Sequence, residues 1–192
     1  VIAYDGELIE IDAKNEDGSY IFADDPEAAQ ILGKYKPIVD AKKKQVVGST
    51  TVDLIGGNPA ARTGETNLGN LIADGMLAKA KTINPNTVIA LQNGGGVRTT
   101  LQAGPITLAD VMTVLPFSNA LAIMEITGSE LKTALEHSVS AAPSASGGFL
   151  QVAGMRFMYD SSKATGSRVQ SVEVLQNGEY TALSDTETYY AA

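Results

Sequence analysis

The 192-residue sequence contains no cysteine, no tryptophan and only one histidine. Without cysteine it can form no disulfide, no thiol nucleophile and no zinc–thiolate site. No apolar run reaches the roughly 18 residues that a membrane-spanning helix needs. Positive charge is also scarce: 14 Lys and Arg stand against 22 Asp and Glu, and the net charge of −8 repels a polyphosphate backbone. We therefore expect no thiol chemistry, no membrane span and no nucleic-acid partner.

The first 44 residues are predicted to form a hairpin followed by a helix. "LIEID" alternates like a strand and "NEDGS" is typical of a turn, so residues 1–23 are interpreted as a hairpin. A helix is predicted to start at Pro26, because proline at the first helical position loses no hydrogen bond. Apolar residues continue at helical spacing to Val39, although Pro37 should kink or divide this helix.

The rest of the sequence mixes strands and helices without a regular βαβ repeat. This order favours an α+β fold (mixed α/β layers), with mixed sheets packed with helices. Helices are predicted in "NLGNLIADGMLAKA", from the Thr107 and Asp110 cap to residues 114–117, and from the Thr127 and Glu130 cap through Val139. Strands are predicted at residues 45–54, 87–91, 120–126, 149–152, 155–159, 169–175 and 188–191.

Three consecutive glycines follow one of these predicted strands in "LQNGGGVRTT". Each glycine costs roughly 0.5–1 kcal/mol relative to alanine, so the run needs a backbone reason or a ligand reason. It matches neither the P-loop nor the dinucleotide-binding spacing. A tight turn that requires positive φ is one interpretation. A ligand site is the other, because Asn93 and Arg98 add an amide and a guanidinium suited to phosphate or carboxylate.

Five ordered blocks resemble the C-terminal, substrate-binding domain of the 5'-nucleotidase and UDP-sugar hydrolase family. They are "ETNLGNLIADGM", "LQNGGGVR", "VLPFSNAL", "ALEHSV" and "GGFLQVAGMRFMYD", and the resemblance covers about residues 25–192. It implies a 5'-nucleotidase C-terminal-domain-like fold for residues 45–192. Residues 1–23 would then be the end of a preceding metallophosphoesterase domain, and residues 24–44 a linker helix.

The same resemblance implies a set of nucleotide-binding residues. Two arginines reach toward the phosphate, an asparagine contacts ribose or phosphate, and a phenylalanine stacks on the base with an asparagine at the base edge. Stacking of this kind is worth about 1–3 kcal/mol per base and depends little on which base is present. By position these residues are Arg62 and Arg98, Asn93, Phe117 and Asn119, and the glycines Gly94, Gly95 and Gly96 form the socket between them.

Each of these assignments has an ordinary structural alternative. Phe117 follows a proline and is compatible with a core aromatic. Arg62 and Arg98 are compatible with surface ion pairs in an acidic protein. The only histidine, His137, is interpreted as a packing or hydrogen-bonding residue rather than a metal ligand.

The family's reaction is a phosphoester hydrolysis at two divalent metal ions of the Zn or Mn type. In the family those ions are held by His, Asp and Asn residues of the preceding domain, and one histidine cannot assemble such a site. The resemblance therefore predicts no metal site in this chain and no turnover by it alone. Its partners would be a nucleotide or nucleotide-sugar substrate and an N-terminal metallophosphoesterase domain in cis.

Family members usually continue past the strand written here as "TYYAA" into a segment that carries a second stacking aromatic. We accordingly expect a domain truncated at its C-terminal end, a frayed last strand and weak nucleotide binding. The leading hypothesis is a nucleotide substrate-binding domain of a bacterial, secreted hydrolase located outside the cell, in the periplasm or at the cell wall. Two alternatives stay open: a non-catalytic nucleotide-binding or cell-surface module, and a structural domain without a ligand.

Overall fold

The computed structural model describes residues 5–192, and the chain divides into two compact units at Lys44 and Gln45. In the described part of the first unit, helix α1 spans Pro26–Lys43, and Oδ1 of its N-cap residue Asp25 accepts hydrogen bonds from two backbone amides of the first turn. The predicted start at Pro26 is confirmed, but the helix is not divided at Pro37. Lys36 Nζ contacts the Asp40 carboxylate at 2.5 Å across the turn that contains Pro37, which supports the helix at that point.

Only the turn of the predicted N-terminal hairpin is present in residues 5–23. Asn15 N–H donates to Ser19 O at 2.8 Å, and a single bridge joins Lys14 to Tyr20. The predicted strand at "LIEID" is wrong, because Leu8 is fully exposed and this segment has no sheet partner on which to bury its apolar side chains. Residues 1–4 of that prediction lie outside the described residues.

The second unit contains three sheets. The largest has the order β4-β9-β2-β5, with β2 parallel to β9 and both outer pairs antiparallel. Its strands are β2 (Thr87–Asn93), β4 (Met124–Thr127), β5 (Leu150–Ala153) and β9 (Thr188–Ala191). The others are the pair β1 (Val46–Thr50) and β3 (Gly104–Thr107), and the antiparallel sheet β6 (Met155–Tyr159), β7 (Val169–Gln176) and β8 (Glu179–Ala182).

Four helices connect and cover these sheets: α2 (Ala60–Thr63), α3 (Asn67–Lys81), α4 (Leu108–Val114) and α5 (Gly128–Ser138). The two capping boxes predicted from sequence are confirmed. In each, a threonine hydroxyl accepts the N–H of the third helical residue, whose carboxylate accepts the threonine N–H. The predicted α+β class, with mixed sheets and helices, is therefore confirmed.

Two helices bury their apolar faces against the large sheet. On α5, Leu131 and Leu135 are fully buried and belong to the same core cluster as Ile89 of β2. On α3, Ala73 and Leu77 pack in a separate cluster with residues of β2 and β5. Residues of β2 pack against both helices. This packing fixes the position of the C-terminal end of β2 and of the triple glycine that follows it.

Several sequence-based boundaries differ from the structure. The strand predicted at residues 45–54 ends at Thr50, and the strand predicted at residues 120–126 is only the four residues of β4. The short elements α2, β3 and β8 were not predicted, because each is four residues long and has no periodicity of its own.

Within residues 5–192 no helix is both long enough and apolar enough to traverse a lipid bilayer.

The last strand does not fray. β9 lies inside the large sheet between β4 and β2, and its Tyr189 and Ala191 are almost fully buried. Ala192 continues the parallel pairing, with its N–H donating to Ile89 O and its carbonyl accepting the Leu91 N–H. Two neighbouring strands hold β9 along its length, so the prediction of a loose C-terminal strand is wrong.

Candidate functional site

The triple glycine forms a single 3₁₀ turn at the end of β2. Gly94 N–H donates to Phe149 O at 2.6 Å, and Gly95 N–H donates to Gly147 O at 2.9 Å. These two N–H groups therefore already donate hydrogen bonds to backbone carbonyls of the protein. None of the three glycines has a positive φ, so the interpretation as a turn that requires positive φ is wrong.

Close approach of neighbouring backbone atoms explains Gly94 and Gly95, whereas the nearest neighbour of Gly96 is the end of a flexible side chain. A Cβ on Gly94 would collide with the carbonyl oxygen of Ala61, and a Cβ on Gly96 would lie 2.5 Å from Gln92 Nε2. A Cβ on Gly95 would lie 3.0 Å from the Cα of Gly147. The bare backbone lets α2, β2 and the loop before β5 converge at one point.

Arg98 and Phe117 lie side by side next to this turn. The guanidinium carbon of Arg98 is 5.8 Å from the centroid of the Phe117 ring, and Arg98 Nη1 donates to Gly95 O at 3.2 Å. Arg98 N–H donates to Val114 O at 2.9 Å, which ties the glycine segment to the end of α4. Phe117 is 53% exposed, so the interpretation as a core aromatic does not apply.

The N-terminal cap of α4 helps to place Phe117. Thr107 Oγ1 and Thr107 N–H both donate to Asp110 Oδ2, at 2.6 and 2.7 Å. These bonds favour the ionised carboxylate and hold the pKa of Asp110 below its usual value, the hydroxyl contributing most. The helix therefore has a defined start. Its last residue, Val114, accepts the Arg98 N–H, and Phe117 follows three residues later beside the Arg98 side chain.

An open cavity of about 190 Å³ adjoins the Phe117 ring. Gly96, Phe117 and Asn119, three of the residues predicted from sequence, line it together. The remaining wall is mostly apolar and comes from α3, the end of β2, the end of α4 and the loop before β4: Ile72, Met76, Gln92, Leu115, Ala120 and Leu121. An apolar slot with one exposed aromatic ring and two amide side chains suits a flat heteroaromatic group.

Arg62 and Asn93 also lie close to this turn, at Gly147. Asn93 Nδ2 donates to Gly147 O at 3.3 Å, the same carbonyl that accepts the Gly95 N–H. Arg62 lies on α2 near Gly147, and its Nε is buried without a hydrogen-bond partner among the described residues. A buried guanidinium N–H costs free energy unless it is satisfied, and an anion is a suitable acceptor.

In the described part of the chain, the arginines at this site form no ion pair with a carboxylate. Within residues 5–192, the ion pairs are Lys36 with Asp40 and Arg156 with Glu173, so neither Arg62 nor Arg98 takes part in one. The alternative that these two arginines are surface ion pairs is therefore wrong. In the same described range no group of three or more His, Cys, Asp or Glu side chains is close enough together to bind a metal ion.

Sequence reasoning missed two residues at the centre of the site. The carbonyl of Gly147 receives two hydrogen bonds there, and Gln92 donates to the Asn93 side chain at 3.1 Å while lining the cavity. Gly147 and Gly148 begin the block "GGFLQVAGMRFMYD", but no site role was assigned to them from sequence. The contact of Gly147 with Gly95 is set by the pairing of β2 with β5, which no local pattern reveals.

Comparison with known proteins finds a matching family model and similar sequences. Residues 46–192 match the family model described as "5'-nucleotidase, C-terminal domain". The trifunctional nucleotide phosphoesterase protein YfkN of Bacillus subtilis is 42% identical over 170 residues, which are 88% of this chain and 12% of that protein. The 5'-nucleotidase of Bos taurus is 37% identical over 79% of this chain and 28% of that protein.

A solved structure is also similar. The 5'-nucleotidase precursor from Thermus thermophilus superimposes with a TM-score of 0.77 at 45% identity, covering 86% of this chain and 32% of that one. The chain thus spans about a third or less of each of these three relatives. Because they include an animal protein, the bacterial origin and secretion expected from sequence stay predictions.

Proposed function

The chain belongs to the 5'-nucleotidase family as its C-terminal domain, and from this membership we propose that it binds and orients a nucleotide for phosphoester hydrolysis. One observation carries the proposal: the exposed Phe117 ring lines an apolar cavity, and the Arg98 guanidinium carbon lies 5.8 Å from the centroid of that ring. An aromatic ring can stack on a base, and a guanidinium can form charge-assisted hydrogen bonds with a phosphate.

Each part of a nucleotide has a matching group in this site. The base would stack on Phe117 with Asn119 at its edge, because both residues line the apolar cavity. The phosphate would meet Arg98, which donates to Gly95 O, and Arg62, whose guanidinium lies near Gly147. Asn93 would contact ribose or phosphate from the end of β2, beside Gly94 and Gly95.

Hydrolysis itself would require a metal centre, and we assign none to residues 5–192. The described residues hold no cluster of metal-binding side chains, so they do not fit a two-metal centre and we assign no chemical step to them. We propose that a metallophosphoesterase domain in cis provides the Zn- or Mn-type ions. The extracytoplasmic location is proposed on the same family resemblance; three relatives are named as snake venom 5'-nucleotidases.

Nuclear magnetic resonance titration of the 192-residue chain tests nucleotide binding. We expect millimolar AMP to shift the amides of Gly94 to Arg98 and the ring resonances of Phe117, and Arg98→Ala to abolish most of this response. Unchanged spectra at saturating AMP would overturn the proposal and favour a structural domain without a ligand.

A non-catalytic nucleotide-binding module is the second candidate function. It makes the same prediction for AMP binding, because the same Phe117 and Arg98 would contact the ligand. The coding sequence upstream of Val1 separates the two candidates: a dimetal phosphoesterase domain there supports the hydrolase, and its absence supports the module.

A further inference from the structure

A buried glutamine on β5 is bonded to the two segments that flank Arg62. Gln151 is 1% exposed. Its Nε2 donates to Ala61 O at 3.1 Å and to Gly64 O at 2.8 Å, one carbonyl on each side of Arg62. Its Oε1 accepts the Thr66 N–H at 3.0 Å, so one side chain holds the whole stretch from α2 to the start of α3.

The helix α2 needs such an anchor. It is four residues long, and a single turn is unstable in water without tertiary contacts. Ala61 O, which accepts a hydrogen bond from Gln151, also packs directly on Gly94, where a Cβ would collide with it. Ser146 N–H donates to Arg62 O at 2.9 Å and adds the loop before β5 to the same arrangement.

The helix α3 leaves space for this glutamine. Gly69 lies in the first turn of α3, and a Cβ there would overlap the Gln151 carboxamide. Glycine inside a helix is unfavourable, so its presence at the contact indicates that the position of Gln151 is the stronger requirement. An apolar residue of similar size at 151 would fill the volume but leave three buried backbone groups without partners.

We propose that Gln151 is a positioning residue for Arg62. It fixes the backbone on both sides of Arg62, so that the guanidinium lies beside Gly147 with its buried Nε turned to an anion. This inference rests on the proposed function, because it assigns to Arg62 the role of a phosphate-binding group. Gln151 itself is 1% exposed, so it would act through Arg62.

The test compares Gln151→Met with Ser138→Ala in the 192-residue chain. Ser138 is also 1% exposed and also anchors β5, since its Oγ accepts the Leu150 N–H at 2.8 Å, but it makes no bond to α2. We expect Gln151→Met to speed hydrogen exchange of the Ala61 and Arg62 amides about tenfold relative to the Leu91 amide, and Ser138→Ala to leave that ratio unchanged. Equal acceleration of all three amides would overturn the inference.

AMP affinity provides the second readout, through a double-mutant cycle with Arg62→Ala. Gln151→Met should weaken AMP binding about tenfold when Arg62 is present and less than about twofold when Arg62 is alanine. The same loss in both backgrounds means that Gln151 does not act through Arg62, and the inference fails. If the unmodified chain does not bind AMP, the proposed function fails, while the exchange ratio still decides whether Gln151 fixes α2.

A variant on α3 keeps the test decisive if Gln151→Met does not fold. Gly69→Ala displaces the carboxamide while retaining Gln151, whereas Gly75→Ala, at an open position of the same helix, meets no atom within 4 Å. We expect Gly69→Ala to reproduce the faster exchange at Ala61 and Arg62 and Gly75→Ala to leave it unchanged. Identical behaviour of the two variants would contradict the inference.

Discussion

The guanidinium carbon of Arg98 lies 5.8 Å from the centroid of the Phe117 ring, although 18 residues separate the two in the chain. The hydrogen bond from Arg98 N–H to Val114 O holds the two segments together. A cation thus lies beside an aromatic ring that lines an apolar cavity. In the proposed function the cation would bind phosphate and the ring would stack on the base, so the two contributions to ligand binding can be measured separately.

Replacing Phe117 tests the stacking contribution. Phe117→Ala should weaken AMP binding by about 1–3 kcal/mol, since it removes the aromatic wall of this cavity. The loss should be similar for UMP, and binding of ribose 5-phosphate should hardly change. Met112→Ala is the control, because Met112 is 51% exposed on α4 and does not line the cavity. A loss confined to one base, or equal losses from both variants, would contradict the stacking role.

Replacing Arg98 tests the phosphate contribution. Arg98→Ala should weaken AMP binding about tenfold or more and leave adenosine binding nearly unchanged, because a charge-assisted hydrogen bond is lost only with the phosphate. Isothermal titration at two salt concentrations measures this, since the Arg98-dependent part should shrink as salt rises. Arg156→Ala serves as the comparison, because Arg156 also lies over an aromatic ring, that of Tyr180, but pairs with Glu173.

Replacing Gly94 tests whether this position requires a residue without a Cβ. Gly94→Ala should destabilise the fold by about 1–3 kcal/mol, because the added methyl group collides with Ala61 O and neither backbone can move freely. Gly75→Ala, at an exposed helical position with no neighbour, should stabilise it by about 0.5–1 kcal/mol. Urea unfolding monitored by circular dichroism gives both values. A Gly94→Ala protein as stable as the parent would rule out the close contact.

The capping box of α5 predicts a pH dependence of stability. Hydrogen bonds from the N–H and hydroxyl of Thr127, the N–H contributing most, lower the pKa of Glu130 from its usual 4.5. A lowered folded-state pKa gives stability that is present above the unfolded value and is lost as pH falls through the folded value. Glu130→Gln keeps an acceptor without the charge, so it should be less stable than the parent at pH 7.

Urea unfolding of the parent and Glu130→Gln at pH 7 and pH 3 measures that difference. We expect the gap between the two proteins to close as pH falls below 4.5, because protonation removes the charge that distinguishes Glu130 from glutamine. If the difference in unfolding free energy between the two proteins is constant across this pH range, the charge of Glu130 does not stabilise the helix start.

Local patterns in the sequence were sufficient for the elements that carry their own signals. The capping boxes at Thr107 and Thr127 and the amphipathic α3 were predicted because a cap or a 3.6-residue period depends only on neighbours in the chain. Alternation alone was not sufficient. The segment around Leu8 alternates like a strand but is exposed, since a strand forms only where another strand pairs with it.

The amino-acid sequence by itself determined which chemical groups are available: two arginines, an aromatic residue after a proline, and three glycines after a buried strand. Only the tertiary structure decided what the glycines are for. The pairing of β2 with β5 and the anchoring of α2 by Gln151 press Ala61 and Gly147 against Gly94 and Gly95. Such contacts join residues more than 30 positions apart, and close packing between distant segments leaves no periodic trace in the chain.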